Sequence, residues 1–140
     1  MWKVYSVKTL YQTDTIGKPE KVNDDYRDDL VLIEERIITL KARTFDEAIS
    51  KGEKEAIAYA SDVSHINPYG QKVEQKYLGY INVFDPYDEV APNIEVFSST
   101  FLAEKKLSNT QIINRVVGIE YENERQLRLK FCNREFSGEI

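Results

Sequence analysis

Residues 44–63, TFDEAISKGEKEAIAYASDV, decide the fold of this chain. Apolar and small residues recur there with the spacing of one helical face, and charged residues fill the opposite side. Thr44 and Glu47 form a T-x-x-E capping box, which predicts that a helix begins directly after Thr44. The apolar face of such a helix remains exposed to solvent unless another layer of the protein covers it. The stretch therefore predicts a second layer beneath the helix, which we infer to be a sheet.

The apolar face of the predicted helix carries a row of small residues. They are Ala48, Gly52, Ala56 and Ala60. Small side chains let a helix axis lie close to the layer that it covers. We therefore expect this row to face the sheet.

The composition indicates one globular domain without a membrane span. Hydrophobic residues make up 41% and charged residues 31% of 140 residues, and no apolar run approaches the roughly 20 residues of a membrane helix. The single cysteine, Cys132, cannot form an internal disulfide and favours a reducing compartment, for which we expect the cytoplasm. We expect a single domain over residues 1–140, with a core at 2–104 and a C-terminal extension at 105–140.

The charge balance disfavours nucleic acid as a partner. Nineteen basic and 24 acidic residues give a net charge of −5, whereas binding to nucleic acid depends largely on neutralising phosphates. Basic residues outnumber acidic ones after residue 104, so the acidity lies in the front of the chain. An acidic front suits a basic partner, although solubility alone also accounts for it.

Alternating and β-branched residues predict four strands around the helix, at residues 2–11, 30–42, 72–84 and 94–103. Residues 12–29 predict a long polar loop, and the turn formers Asn67-Pro68-Tyr69-Gly70 follow the helix. The order is typical of the α+β class. We expect an antiparallel sheet of about four to six strands with one main helix packed on one face.

The C-terminal extension predicts a helix followed by strands. Ser108 and Gln111 suggest a second capping box, which opens a short helix that ends at Gly118. Residues 126–132 alternate as a strand that could pair with 118–121. We expect this helix/strand extension to follow the core.

Short motifs over residues 2–100 resemble those of a known family. They are Tyr5-Ser6-Val7-Lys8, Glu34-Glu35-Arg36 with Leu40 and Ala42, Glu47-Ala48, Asn67-Pro68-Tyr69-Gly70 and residues 83–85. In this order and spacing they resemble a family of short bacterial domains of unknown function. The resemblance implies a β-β-α-β-β topology and a bacterial, cytoplasmic origin. It implies no activity, cofactor or catalytic residue.

The residue types present suit catalysis and metal binding poorly. His65 is the only histidine, and Cys132 falls in a predicted strand, where a cysteine usually packs as a small hydrophobe. Glu34 and Glu35 are adjacent in a strand, so their carboxylates should point to opposite faces rather than act together. We therefore expect a protein that is not an enzyme and that has no catalytic residues, cofactor or metal.

The run Asp24-Asp25-Tyr26-Arg27-Asp28-Asp29 has two interpretations. It lacks the glycine and the glutamate that a calcium-binding EF-hand loop requires at fixed positions. A solvated acidic loop is the simpler interpretation, and contact with a basic protein surface is the functional one.

We predict a small protein-binding domain that uses acidic loops. The candidate partner-binding residues are Asp24, Asp25, Tyr26, Asp28, Asp29, Tyr69, Asp85, Tyr87 and Asp88. The concrete hypothesis is a bacterial immunity protein or antitoxin that neutralises a basic toxin, with neither nucleic acid nor a membrane as partner. Two alternatives stay open: a self-associating module that forms a homodimer through a strand edge or the tail, and a ligand-binding protein or enzyme with a cleft lined by Tyr and Glu.

Overall fold

A computed structural model describes residues 1–86, 89, 91–98, 100 and 102–117 of the chain. The elements, in chain order, are β1 (Lys3–Ile16), β2 (Leu32–Ala42), α1 (Phe45–Ser61), β3 (Ser64–Ile66), β4 (Lys72–Phe84) and α2 (Asn109–Val117). The four strands form one antiparallel sheet in the order β2-β1-β4-β3. This architecture confirms the predicted α+β class.

The central strand β1 pairs with β2 on one side and with β4 on the other. Its pairing with β2 runs from Lys3 opposite Ala42 to Thr13 opposite Leu32 without a break in register. Side chains of β1 alternate, so Val7 and Tyr11 lie under α1 and are fully buried. These two side chains therefore belong to the core beneath α1.

The pairing of β1 with β4 is interrupted by a bulge. Thr9 lies opposite Ile81 and Tyr11 opposite Tyr77, so three residues of β4 face Leu10 alone. Gly79, in the middle of the three, has a φ of +83°, a backbone conformation that side chains with a Cβ rarely adopt. The bulge bends β4 and increases its local twist.

The start of α1 is fixed as the sequence predicts. Thr44 is the N-cap, and its Oγ1 accepts a hydrogen bond from the backbone N–H of Glu47 at 3.1 Å. The carboxylate of Glu47 pairs with Arg43 and Lys51 instead of completing the capping box. The hydroxyl alone therefore satisfies a backbone donor of the first turn.

The row of small residues on α1 faces the sheet, as expected, and its centre is the closest approach. A Cβ built on Gly52 would lie 2.8 Å from Cδ1 of Ile81 and 2.9 Å from Cγ1 of Val7. Ala48, Ala56 and Ala60 are also buried. The helix axis thus sits where a larger residue at position 52 would push it away.

Beyond the C-terminal end of α1, residues of the connection between β1 and β2 cover the same face of the sheet. Val73 of β4 is fully buried, with Leu30 and Leu32 packed against it. One face of the sheet is therefore covered by α1 and, further along, by residues at the start of β2.

One predicted strand boundary and one predicted strand were wrong. The strand β1 continues to Ile16 rather than ending at residue 11, because pairing with β4 holds its polar last residues. None of the described residues in 94–103 belongs to a strand. Phe97 instead packs against Phe84, with 5.8 Å between ring centroids, and Lys8 Nζ lies 5.0 Å from its ring, so this segment lies over the second face of the sheet.

The short strand β3 was not predicted, whereas the helix in the extension was. Ser108 Oγ accepts from the N–H of Gln111 at 3.2 Å, and Gln111 Oε1 accepts from the N–H of Ser108 at 2.9 Å. This reciprocal capping box starts α2. The strands predicted at 118–121 and 126–132 lie outside the described residues.

Replacing Gly52 with valine should destabilise the protein by about 1–3 kcal/mol, because the added methyl groups overpack the contact with Val7 and Ile81. The matched control is Ala58→Val on the exposed side of the same helix, which carries only the helix-propensity cost of valine, under about 1 kcal/mol. Urea unfolding measures both free energies. Equal losses in the two variants would show that the helix does not depend on close contact at Gly52.

Candidate functional site

The long connection between β1 and β2, residues 17–31, packs against the turn between β3 and β4 at one end of the sheet. The turn consists of the five residues 67–71. Asn67 N–H donates to the Gln71 carbonyl at 2.9 Å, and Gly70 N–H donates to the Asn67 carbonyl at 3.0 Å. Asparagine first, proline second and glycine fourth is the preferred sequence of a type I turn, and Gly70 has a φ of +82°.

The turn is made rigid by the side chain of Asn67. Its Oδ1 accepts from the backbone N–H of Tyr69 at 3.0 Å and from that of Gln71 at 2.9 Å. All three residues are buried. Because the polar groups inside the turn bond to one another, the turn is a fixed platform.

The acidic loop docks on this platform mainly through Tyr69. The Tyr69 hydroxyl donates to Asn23 Oδ1 at 2.6 Å, and the backbone N–H of Glu20 donates to the Tyr69 carbonyl at 2.7 Å. The ring of Tyr26 meets that of Tyr69 edge to face, with 5.1 Å between centroids. Gln71 Nε2 also donates to the Gly17 carbonyl at 2.9 Å. The loop therefore has a defined conformation.

The acidic side chains of the docked loop point to solvent. Asp24, Asp28 and Asp29 are exposed, and Asp25 is half-buried. Arg27 donates to both carboxylate oxygens of Asp29, at 2.9 and 2.8 Å, which lowers the pKa of Asp29 below its usual value. The loop thus presents an ordered acidic surface that includes the ion pair of Arg27 with Asp29.

The structure distributes the other predicted partner-binding residues differently. Tyr69 is only 4% exposed, so it holds the loop in place and offers no surface to a partner. Asp85 follows β4 at the opposite end of the sheet, roughly 30 Å away along the strand pair, and pairs with Lys3 at 3.0 Å. Tyr87 and Asp88 lie outside the described residues. Among the described candidates, Asp85 therefore lies apart from the acidic residues of the loop.

Sequence reasoning missed the residues that position the loop. Asn23 and Gln71 carry no catalytic or charged signal, and their contacts join positions far apart in the chain. The sequence did identify the turn, because Asn67-Pro68-Tyr69-Gly70 consists of turn formers. It gave no sign that the acidic loop would bind to that turn.

A second polar cluster lies between α1 and β2. The Tyr59 hydroxyl donates to Glu34 Oε1 at 2.7 Å, and Arg36 Nη1 donates to Glu55 Oε2 at 2.6 Å. The Arg36 guanidinium stacks 3.8 Å above the centre of the Tyr59 ring. Glu34 and Arg36 of β2 thus each bond to a residue of α1.

Glu34 and Glu35 diverge as expected. Glu34 lies under α1, whereas the Glu35 side chain is 66% exposed on the second face, 4.0 Å from Lys8 Nζ. The two carboxylates therefore cannot meet at one substrate.

Two tyrosines between the helix and the sheet have raised pKa values. Burial, followed by the hydrogen bond to the Glu34 carboxylate, raises the pKa of Tyr59 to about 12. Burial also raises the pKa of Tyr77, whose hydroxyl is buried without a hydrogen-bond partner. Both phenols are therefore neutral at physiological pH.

The described residues form a small open groove across the neighbouring strands β1 and β4. Its volume of about 190 Å³ is below the usual size of a ligand pocket. The groove is lined by Gln12, Asp14, Ile16, Glu74, Gln75 and Lys76. In the part of the chain that the structure describes, no group of three or more His, Cys, Asp or Glu side chains could hold a metal ion. Within the described ranges, no helix has the length and apolar character that crossing a membrane requires.

Stability should fall between pH 10 and pH 12 in a way that depends on Tyr59. Its pKa is raised above the ordinary value of 10.0, so its neutral form contributes stability that is complete below pH 10 and is lost as the pH rises to about 12. Unfolding free energies measured from pH 8 to 12 should decline less steeply in Tyr59→Phe than in the parent protein. Identical slopes would show that folding does not raise the pKa of Tyr59.

Replacing Tyr69 with phenylalanine should loosen the acidic loop. The change removes the hydrogen bond to Asn23 but keeps the ring, at a cost of about 1 kcal/mol. Hydrogen exchange of residues 20–29 should quicken several-fold, while exchange in α1 should change little. Tyr80→Phe is the control, since Tyr80 is exposed on the bulge of β4. Unchanged exchange in Tyr69→Phe would mean that another contact holds the loop.

Comparison with known proteins gives a family and no named relative. Neither the search of curated proteins nor the search of solved structures returned a match. A family model described as a domain of unknown function, DUF4288, matches residues 4–98, which include α1 and, except for the first residue of β1, all four strands. The motifs quoted above lie within the matched range. The chain therefore belongs to the DUF4288 family of domains of unknown function.

Proposed function

We propose that this domain is a non-enzymatic protein-binding module that presents its acidic loop to a basic surface of another protein. The observation that supports this most is the attachment of the loop to the buried turn through Asn23, Tyr26 and Tyr69. A loop that is ordered before binding loses less conformational entropy when a partner arrives. The exposed carboxylates can therefore act as a preformed contact surface.

The charge of the loop fits a basic partner. From Glu20 to Asp29 the chain carries five acidic and two basic residues, and the whole chain has a net charge of −5. Such a surface attracts cationic proteins over several ångströms and raises their association rate at low salt. The contact surface we propose comprises Asp24, Asp25, Tyr26, Asp28 and Asp29. It omits the buried Tyr69 and the distant Asp85.

The specific form of this proposal is an immunity protein or antitoxin in the bacterial cytoplasm. A toxin that acts on nucleic acid needs a basic substrate-binding surface, and an ordered acidic loop is suited to cover it. The single cysteine accords with a reducing compartment. The proposal assigns no chemistry to the loop.

The loop should bind its partner through charge. Affinity capture from a lysate of the source cells should retain a basic protein on the parent chain, and Asp24→Lys with Asp28→Lys should reduce its capture at least tenfold. That protein, purified and titrated against the parent chain, should bind more weakly as salt rises from 50 to 200 mM.

The control carries the same change in net charge away from the loop. Glu53→Lys with Glu95→Lys alters two exposed glutamates, one on α1 and one after β4, and should leave capture unchanged. If the control pair weakens capture as much as the loop pair does, net charge rather than the loop governs binding. If no basic protein separates the parent chain from the loop variant, the proposed function is wrong.

A further inference from the structure

The two edges of the sheet are built differently. The β3 edge is short, since β3 has three residues, and the bulge at Gly79 bends the strand β4 behind it. The β2 edge is a straight strand of eleven residues with no glycine, no proline and no shift in its pairing with β1. Among the described residues, no strand pairs with its outer side. Short strands and bulges are two of the features by which proteins protect sheet edges, and β2 has neither; its protection is limited to charged side chains.

Apolar residues on β2 are exposed beside this open edge. Ile33 and Ile37 point to the second face of the sheet, away from α1, and are 49% and 45% exposed. They flank Glu35 at two-residue spacing, so all three lie on one face. A strand with this pattern offers unpaired backbone groups together with apolar side chains at the same edge.

We propose that β2 pairs antiparallel with β2 of a second copy of this chain, with the two-fold axis at Glu35. Such an axis, perpendicular to the sheet, keeps each residue on its own face. Ile33 then lies opposite the partner's Ile37 on the second face, and Glu34 lies opposite the partner's Arg36 on the helix face. Each contact occurs twice, because the interface is self-complementary.

The neighbouring registers are worse in charge or in packing. An axis at Arg36 places two guanidinium groups opposite each other, and an axis at Ile37 places Ile33 opposite the partner's Lys41. With the axis at Glu35, the like charge of the two Glu35 carboxylates is offset by Lys8, which lies 4.0 Å away in each copy, and is screened because the side chain is exposed. The register centred on Glu35 is therefore preferred.

This pairing would join the two sheets into one of eight strands, with both copies of α1 on the same face. The ion pair of Arg36 with Glu55 and the hydrogen bond of Tyr59 to Glu34 remain intact. The Arg36 guanidinium has further donors and the Glu34 carboxylate has further acceptor sites for the contact between copies. The inference concerns the strand edge and is independent of the function proposed for the acidic loop.

Disulfide trapping tests the register. In the full chain carrying Cys132→Ser, Glu35→Cys should form a disulfide-linked dimer under mild oxidation, since opposite residues of an antiparallel pair have Cα atoms about 4.5–5.5 Å apart. Lys41→Cys, exposed on the same strand, should stay monomeric because residue 41 faces a position beyond the partner's strand. Equal trapping at both positions, or none at position 35, overturns the proposed pairing.

Light scattering provides the second measurement. The unmodified chain should show twice its mass of 16.3 kDa at high concentration and dissociate on dilution. Ile37→Lys should raise the dimer dissociation constant at least tenfold, whereas Thr39→Lys, on the same face but outside the isoleucine contact, should raise it much less. A chain that stays monomeric at all concentrations, or a dimer that Ile37→Lys leaves unchanged, refutes the inference.

Discussion

The contact of α1 with the sheet at Gly52 is the constraint on which the rest of the structure depends. With Ile81 and Val7 so close to the position of a Cβ, the helix can lie flat on the middle of the sheet only because residue 52 has no side chain. Aromatic pairs fill the wider spaces towards both ends: Tyr5 with Phe45 at 5.1 Å, and Tyr11 with Tyr59 at 4.9 Å between ring centroids. Helix position and strand register are therefore set together.

The parts of the fold that could be predicted are those with a local signal. Capping residues and apolar periodicity marked both helices, and alternation marked β2 and most of β4. The last residues of β1 are polar and resemble a loop, yet pairing of Thr13 with Gln75 and of Thr15 with Val73 keeps them in the sheet. The segment 94–103 has the alternating pattern of a strand, but its described residues do not pair with the sheet. Phe97 instead packs against Phe84 on a face of the sheet.

The acidic residues of the candidate site could be predicted from the sequence, but the contacts that hold them in place could not. An acidic run is visible in any sequence, whereas the hydrogen bond from Tyr69 to Asn23 joins residues 46 positions apart. The same holds for the partner of Glu34. In the structure Glu34 accepts from Tyr59, while Arg36 pairs with Glu55. Such partners depend on where the helix lies over the sheet, which no local pattern specifies.

The construction of the β1–β2 connection argues for a role beyond closing the hairpin. Hairpin loops usually need two to five residues, yet residues 17–31 are used here. Clustered carboxylates repel one another, so an ordered acidic loop forms only where other contacts offset that repulsion. Here Arg27 offsets the repulsion by donating to Asp29. The contact of Tyr69 with Tyr26 and its hydrogen bond to Asn23 add further stabilisation, and Asn67 fixes the turn in which Tyr69 is buried. A connection that served only to join two strands would require none of these contacts, so the ordered acidic surface is the feature that they maintain.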